Sequence, residues 1–120
     1  MTDEAAGLPI SMARDAGDLV FVSGQASVDD SGAIVPGTFE EEMKRAFANV
    51  ERVLTDQGLT FADVVRVTGY VRDPDNRDLY NEIYRSIFTP PYPARTTLTN
   101  CLPEELHFEV DVVAHRRLAG

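Results

Sequence analysis

The chain has 120 residues, 43% hydrophobic and 26% charged, which predicts one soluble globular domain over residues 1–120. Twenty acidic residues outnumber eleven basic ones, and the net charge of −9 argues against nucleic acid and anionic membranes as partners. The single cysteine, Cys101, cannot form an internal disulfide, and no apolar run reaches the roughly 20 residues of a spanning helix. We therefore expect a cytoplasmic protein.

Short apolar runs between turn-forming residues predict several strands before the first helix. The predicted elements are a strand at 10–13, a turn at 15–18, a strand at Leu19–Ser23 ended by Gly24 and Gln25, a turn at 29–32 and a short strand at 33–35.

The first helix has the clearest sequence pattern. Thr38 with Glu41 three residues later is typical of a capping box, in which each side chain bonds the other residue's backbone amide. Apolar residues then recur at helical spacing, which predicts one buried stripe, and Gly58 marks the end of the helix. The stripe consists of Phe39, Met43, Ala46, Phe47, Val50, Val53 and Leu54.

The second half of the chain predicts three strands and a second helix. In order, they are a strand at Val64–Val71, a helix starting at Asp73–Asn76 with Leu79, Ile83, Ile87 and Phe88 as its stripe and Pro90-Pro91 as its end, and strands at Arg95–Thr99 and Leu106–Ala114. This order predicts an α+β fold, with two helices on one face of a mostly antiparallel sheet.

The strands at Leu19–Val22 and Val64–Val67 are apolar at neighbouring positions, which predicts apolar side chains on both faces of the sheet. Two helices can cover only one face. A homo-oligomer is the simplest source of cover for the other face.

Arg95 lies among apolar and hydroxyl residues, where the pattern predicts burial. A buried guanidinium needs an anionic partner, and its planar geometry suits a carboxylate. Two partners remain open at this point. One is the carboxylate of a small ligand, and the other is Glu109 in a structural ion pair.

Other site chemistries have weaker support. His107, Glu109, Asp111 and His115 alternate along the last predicted strand, but its two histidines are roughly 26 Å apart at strand rise and cannot share one ion. We therefore predict no metal site and expect both histidines at the surface or an interface. No nucleophile elbow or phosphate-binding loop is present. Asn81 lies off its helix's apolar stripe, which predicts a solvated residue.

The chain resembles the RidA (YjgF) family of reactive intermediate deaminases in a series of short motifs along nearly its whole length. They are Val22-Ser23-Gly24-Gln25, Asn49, Asp63-Val64-Val65, Asn81-x-x-Tyr84, Phe88, Pro93-Ala94-Arg95, Leu102-Pro103 and Glu109. The resemblance implies a chorismate-mutase-like fold assembled as a homotrimer, with ligand sites in the clefts between subunits.

The resemblance also implies an activity. Family members hydrolyse enamine or imine intermediates such as 2-aminoacrylate to a 2-keto acid and ammonia, without a cofactor, as 2-iminobutanoate/2-iminopropanoate deaminases do. By resemblance, Arg95 holds the substrate carboxylate and Glu109 orients or activates the attacking water. Ser23 and Gly24 form the site wall, and Asn81 frames the cleft.

The chain departs from the family pattern at three points. Ile10 stands where many members carry an aromatic residue, and Thr97 stands where a cysteine is common; we expect both to contact substrate. The stretch from Arg95 to Leu102-Pro103 is one residue shorter than usual. Two alternatives therefore stay open, a pathway-specific deaminase of a larger or aminomuconate-like imine, and a non-catalytic trimer that binds small carboxylates. The acidic charge argues against the ribonuclease activity attributed to some relatives.

Overall fold

The computed structural model describes residues 7–116, which form a five-stranded mixed sheet with two α-helices on one face. The elements are β1 (Ala13–Ala16), β2 (Leu19–Ala26), α1 (Phe39–Asp56), β3 (Val64–Val71), α2 (Arg77–Ile87), β4 (Ala94–Thr99) and β5 (Phe108–His115). The strand order is β1-β2-β5-β3-β4, and every neighbouring pair is antiparallel except β3 with β4. The predicted α+β fold is confirmed.

The first strand begins later than the sequence predicted. The prediction of a strand at 10–13 was wrong, because the backbone before β1 is held by Ser23, whose amide and hydroxyl donate to the carbonyls of Met12 and Ser11. The turn into β2 is also shorter than predicted, since Gly17 adopts a positive φ of 75°. β2 runs on through Gly24 to Ala26 with an irregular register.

The predicted short strand at 33–35 is only an isolated bridge between Val28 and Ile34. The turn before it does form, because the carboxylate of Asp29 accepts from the amides of Ser31 and Ala33. The side chain thus satisfies two backbone donors of the turn.

Helix α1 is as predicted. The amide of Glu41 donates to the hydroxyl of Thr38, and the amide of Thr38 donates to the Glu41 carboxylate, which completes the capping box. Every residue of the predicted stripe is buried against the sheet. Gly58 follows the helix with a φ of 75°. Helix α1 is therefore specified locally and by its packing.

Helix α2 confirms only part of its predicted stripe, because Ile83 and Phe88 are buried but the other two residues are not fully so. Its most buried residues are Tyr80, Ile83 and Tyr84, whereas Leu79 and Ile87 are only partly buried. Tyrosine rings are largely apolar and were omitted from the predicted stripe. Gly69 of β3 makes room for Tyr80, since a Cβ at this position would lie 2.2 Å from the Tyr80 hydroxyl oxygen.

The other face of the sheet has no cover within the described chain. In β5, Phe108, Val110, Val112 and Ala114 are buried and the residues between them are half-buried. The strand register places Phe21 and Leu98 on the uncovered face, where each is 44% exposed. The second face is therefore only partly apolar, since these two side chains share it with Glu109 and Asp111. Within residues 7–116, neither helix is long and apolar enough to cross a membrane.

A fully buried carboxylate joins helix α1 to the start of β5. Glu42 accepts a hydrogen bond of 2.8 Å from the backbone amide of His107, and its second oxygen lies 2.7 Å from Nδ1 of the same residue. The prediction that His107 shares a strand face with Glu109 was wrong. His107 precedes the strand, and its ring turns to α1 on the helix side.

We predict that Glu42→Ala lowers the free energy of unfolding by about 1–3 kcal/mol, because it leaves the His107 amide without its acceptor. The matched control is Glu40→Ala in the same helical turn. Glu40 pairs with Lys44 at the surface, where an ion pair contributes about 0–1 kcal/mol. Urea unfolding at one fixed protein concentration measures the free energy of unfolding of both variants. An equal decrease in the two variants would contradict a special role for Glu42.

Candidate functional site

Arg95 lies on β4, the edge strand of the sheet, and points to the side that the helices cover. Its Cα pairs with that of Val67, whose side chain is fully buried on that side. The Nη2 atom of Arg95 donates to Oδ1 of Asn81 over 2.8 Å. Its Cζ lies 4.7 Å from the ring centroids of both Tyr80 and Tyr84. The guanidinium is therefore fixed by one hydrogen bond and two cation–π contacts.

The prediction that Arg95 is buried is wrong for the single chain. The residue is exposed in the single chain, because β4 is an edge strand with no neighbour on one side. The four ion pairs among residues 7–116 do not include an Arg95–Glu109 pair. The structural partner that the sequence left open is thus not used within the chain, and Arg95 keeps its charge available.

The guanidinium of Arg95 lines a pocket of about 240 Å³ between α2 and β4. The other lining residues are Asn81, Tyr84, Arg85, Tyr92 and Pro93. Asn81 is half-buried and bonded to Arg95, so the prediction of a solvated residue was wrong. The pocket is small beside the roughly 300–1,000 Å³ of drug-sized sites, so its size suits a small metabolite.

Glu109 lies on the opposite, uncovered face. It stands between the fully buried Phe108 and Val110, and alternation along β5 directs its side chain away from the helices. A Cβ on Gly24 would lie 2.4 Å from Oε2 of Glu109. Glycine at position 24 therefore allows the carboxylate to rest against bare backbone, and the structure brings these two predicted site residues together.

The remaining predicted wall residues divide between the two faces. Thr97 is two residues beyond Arg95 on β4, and its hydroxyl lies 3.4 Å from the Tyr80 hydroxyl. Ser23 precedes Gly24 in β2, with its hydroxyl proton donated to the Ser11 carbonyl. Ile10 is 45% exposed beside Ser11. Their contact with a substrate stays a prediction.

Sequence reasoning missed a polar pair next to Glu109. Tyr70 of β3 lies opposite Glu109 in the register, and its hydroxyl donates to Oδ2 of Asp111 over 2.7 Å. The spacing of Glu109 and Asp111 indicated that they share a face, but nothing in the sequence indicated that Tyr70 pairs with them. Sequence reasoning also missed the two tyrosine rings beneath Arg95, although Tyr84 stands in the Asn81-x-x-Tyr84 motif.

Two titratable groups on the uncovered face, Glu109 and Tyr70, have raised pKa values. Burial, and secondly the charge of Asp111, raise the pKa of Glu109 above its ordinary value of 4.5. The hydrogen bond to Asp111, followed by burial, raises the pKa of Tyr70 to about 12. Glu109 therefore holds its proton more tightly than a solvated glutamate does. No group of three His, Cys, Asp or Glu side chains within residues 7–116 is arranged to hold a metal ion.

Comparison with known proteins identifies the family. The model of the endoribonuclease L-PSP family matches residues 3–116. A mouse protein named 2-iminobutanoate/2-iminopropanoate deaminase is 33% identical over 108 residues, which are 88% of this chain and 80% of the mouse protein. The chain belongs to the RidA (YjgF) family.

Two solved structures support the same family assignment. The crystal structure of a Thermotoga maritima protein superposes with a TM-score of 0.86 at 34% identity, covering 98% of this chain and 95% of that chain. RidA from an Antarctic Psychrobacter species gives a TM-score of 0.83 at 25% identity, covering 95% and 94%. The fold that the RidA resemblance implied is confirmed.

We predict that the Glu109 carboxyl titrates above pH 4.5 and that Asp111→Asn lowers its midpoint, because removing a neighbouring negative charge favours the ionised form. Burial remains in that variant, so part of the upward shift persists. NMR titration of carbon-13-labelled glutamate side chains measures the midpoint. Asp78→Asn, at an exposed position on α2, is the control; an equal effect of the two variants would contradict a local cause.

Proposed function

We propose that this protein hydrolyses reactive 2-imino acids to 2-keto acids and ammonia, as a 2-iminobutanoate/2-iminopropanoate deaminase does. The observation that carries the proposal is the Arg95 guanidinium, held by Asn81 and two tyrosine rings at a small pocket and without an ion pair among the described residues. The relatives named for this reaction support it.

In the proposed reaction, Arg95 binds the carboxylate of the imino acid. Only its Nη2 atom bonds Asn81, so other N–H groups of the guanidinium remain to hold a carboxylate in a bidentate pair. The two tyrosine rings limit rotation of the guanidinium, which reduces the ordering cost on binding. Arg95 thus fixes the position of the adjacent imine carbon.

Glu109 is proposed to activate the attacking water and to transfer the protons of the reaction. Water adds to the imine carbon, and the tetrahedral product then loses ammonia as the C–N bond breaks and the carbonyl forms. A carboxylate can accept a proton from the water and return it to the departing nitrogen. The raised pKa of Glu109 favours this exchange, because it strengthens the carboxylate as a base.

The two groups lie on opposite faces of one sheet, so a single chain cannot offer both to one small substrate. We propose a homotrimer in which Arg95 of one subunit meets Glu109 and Gly24 of its neighbour. Phe21 and Leu98, exposed on the uncovered face, support this assembly, because exposed apolar side chains are stabilised by burial against another subunit.

An RNA substrate has less support, although the family model carries the description of an endoribonuclease. The chain has a formal charge of −9, whereas RNA binding depends on positive charge along the phosphate backbone. The two alternatives are a deaminase of a larger imine and a non-catalytic trimer that binds small carboxylates. Ammonia release from 2-aminoacrylate distinguishes the proposed function from both.

We predict that Arg95→Ala lowers the enzyme-catalysed release of ammonia from in situ 2-aminoacrylate by roughly 30-fold to several thousand-fold, since a charged contact in the proposed cleft between subunits is lost. Glu109→Gln should bind 2-oxobutanoate but turn over slowly. Both variants should keep the trimer mass in light scattering. Near-normal rates in Arg95→Ala would assign Arg95 a structural role.

The shared site makes a further prediction. Each variant alone should be slow, but a refolded one-to-one mixture of Arg95→Ala and Glu109→Gln chains should regain about one quarter of the wild-type rate, because random assembly restores both residues at that share of sites. Each variant refolded separately is the control. No regained activity in mixtures of confirmed trimers would contradict a site shared between subunits.

A further inference from the structure

A second arginine lines the pocket beside Arg95. Arg85 lies on α2 four residues after Asn81, so the two side chains project from the same face of the helix, about 6 Å apart along its axis. Asn81 holds the Arg95 guanidinium. Arg85 therefore places a second positive charge one helical turn from the group that we assign to the substrate carboxylate.

Arg85 has no ion-pair partner among the described residues. Among residues 7–116, its guanidinium enters none of the side-chain hydrogen bonds or ion pairs, whereas Arg52 and Arg116 are paired with aspartates. None of the six residues that line the pocket is acidic. In a chain with nearly twice as many acidic as basic residues, two unpaired arginines on one pocket form a local positive site.

Aromatic and apolar side chains line the rest of the pocket. Tyr84 and Tyr92 lie with ring centroids 6.3 Å apart, and Pro93 completes the lining. A ligand with a carboxylate at each end and a short carbon chain between them matches this arrangement. A neutral side chain would leave Arg85 without an anion.

We propose that the preferred substrates are 2-imino dicarboxylic acids, the imines of acidic amino acids, with Arg95 binding the first carboxylate and Arg85 binding the distal one. This proposal rests on the proposed deaminase function and adds the substrate class. Arg85 is the residue that determines this specificity, because Arg95 binds the first carboxylate whatever the side chain is.

The competing explanation is that Arg85 only stabilises helix α2. It lies in the last turn of α2, where a cation interacts favourably with the helix dipole and with solvent. Under that explanation, Arg85→Gln changes stability slightly and affects all ligands alike. Under the proposal, its effect depends on whether the ligand has a second carboxylate.

The test compares 2-oxoglutarate with 2-oxopentanoate, which have five carbons each and differ in the distal carboxylate. Isothermal titration calorimetry gives their Kd values for wild type, Arg85→Gln and Arg77→Gln. Arg77 is the matched control, because it is an exposed arginine at the start of the same helix and does not line the pocket. Turnover of the imines generated from glutamate and norvaline by an amino-acid oxidase gives the corresponding kcat/KM values.

We expect wild type to bind 2-oxoglutarate about 10-fold more tightly than 2-oxopentanoate, as for one charge-assisted bond. Arg85→Gln should remove that preference and leave the Kd of 2-oxopentanoate within about twofold of the wild-type value. Arg77→Gln should change the Kd of neither acid. Equal affinity for both acids, together with turnover of the norvaline imine, overturns the substrate class and leaves the proposed function standing. If the protein accelerates ammonia release from neither imine over the enzyme-free rate, both the substrate class and the proposed function are overturned.

Discussion

A β-strand directs consecutive side chains to opposite faces of its sheet, and this alternation controls the organisation of the site. Arg95 on β4 shares its face with α2, whereas Glu109 on β5 shares the uncovered face with Gly24. The group proposed to bind the substrate carboxylate and the group proposed to transfer protons are therefore separated by the thickness of the sheet. Under the proposed mechanism, a reaction that uses both groups requires a second copy of the chain, so the alternation that separates the two groups also makes the proposed site depend on assembly.

On the helix-covered side of the sheet, a series of close contacts holds the Arg95 guanidinium in position. Gly69 lets Tyr80 lie against β3, and Tyr80 and Tyr84 then form the surface on which the guanidinium rests. The aromatic contacts of these rings continue into the core, where Tyr80 packs near Phe108 and Tyr84 near Phe88. The position of a surface arginine thus depends on core packing, which holds it more firmly than solvent contacts could.

Sequence patterns predicted the elements that local interactions determine. The capping box and apolar stripe of α1 depend on residues within a few positions of each other, and the bounds of β3 follow from its apolar run. The start of β1 depends on Ser23, which is distant in sequence, so spacing could not predict it. The exposure of Arg95 and the contact of His107 with Glu42 depend on strand order, which no local pattern encodes.

The sheet order has a consequence for synthesis on the ribosome. The last described strand, β5, lies at the centre and joins the β1–β2 hairpin to the β3–α2–β4 unit. While a nascent chain lacks β5, the inner edges of β2 and β3 both present unpaired backbone groups that can pair with other chains. At roughly 5–20 residues per second, the interval between synthesis of β3 and of β5 lasts on the order of seconds. Chaperone protection of emerging chains therefore has most effect during that interval, before the two halves of the sheet can join.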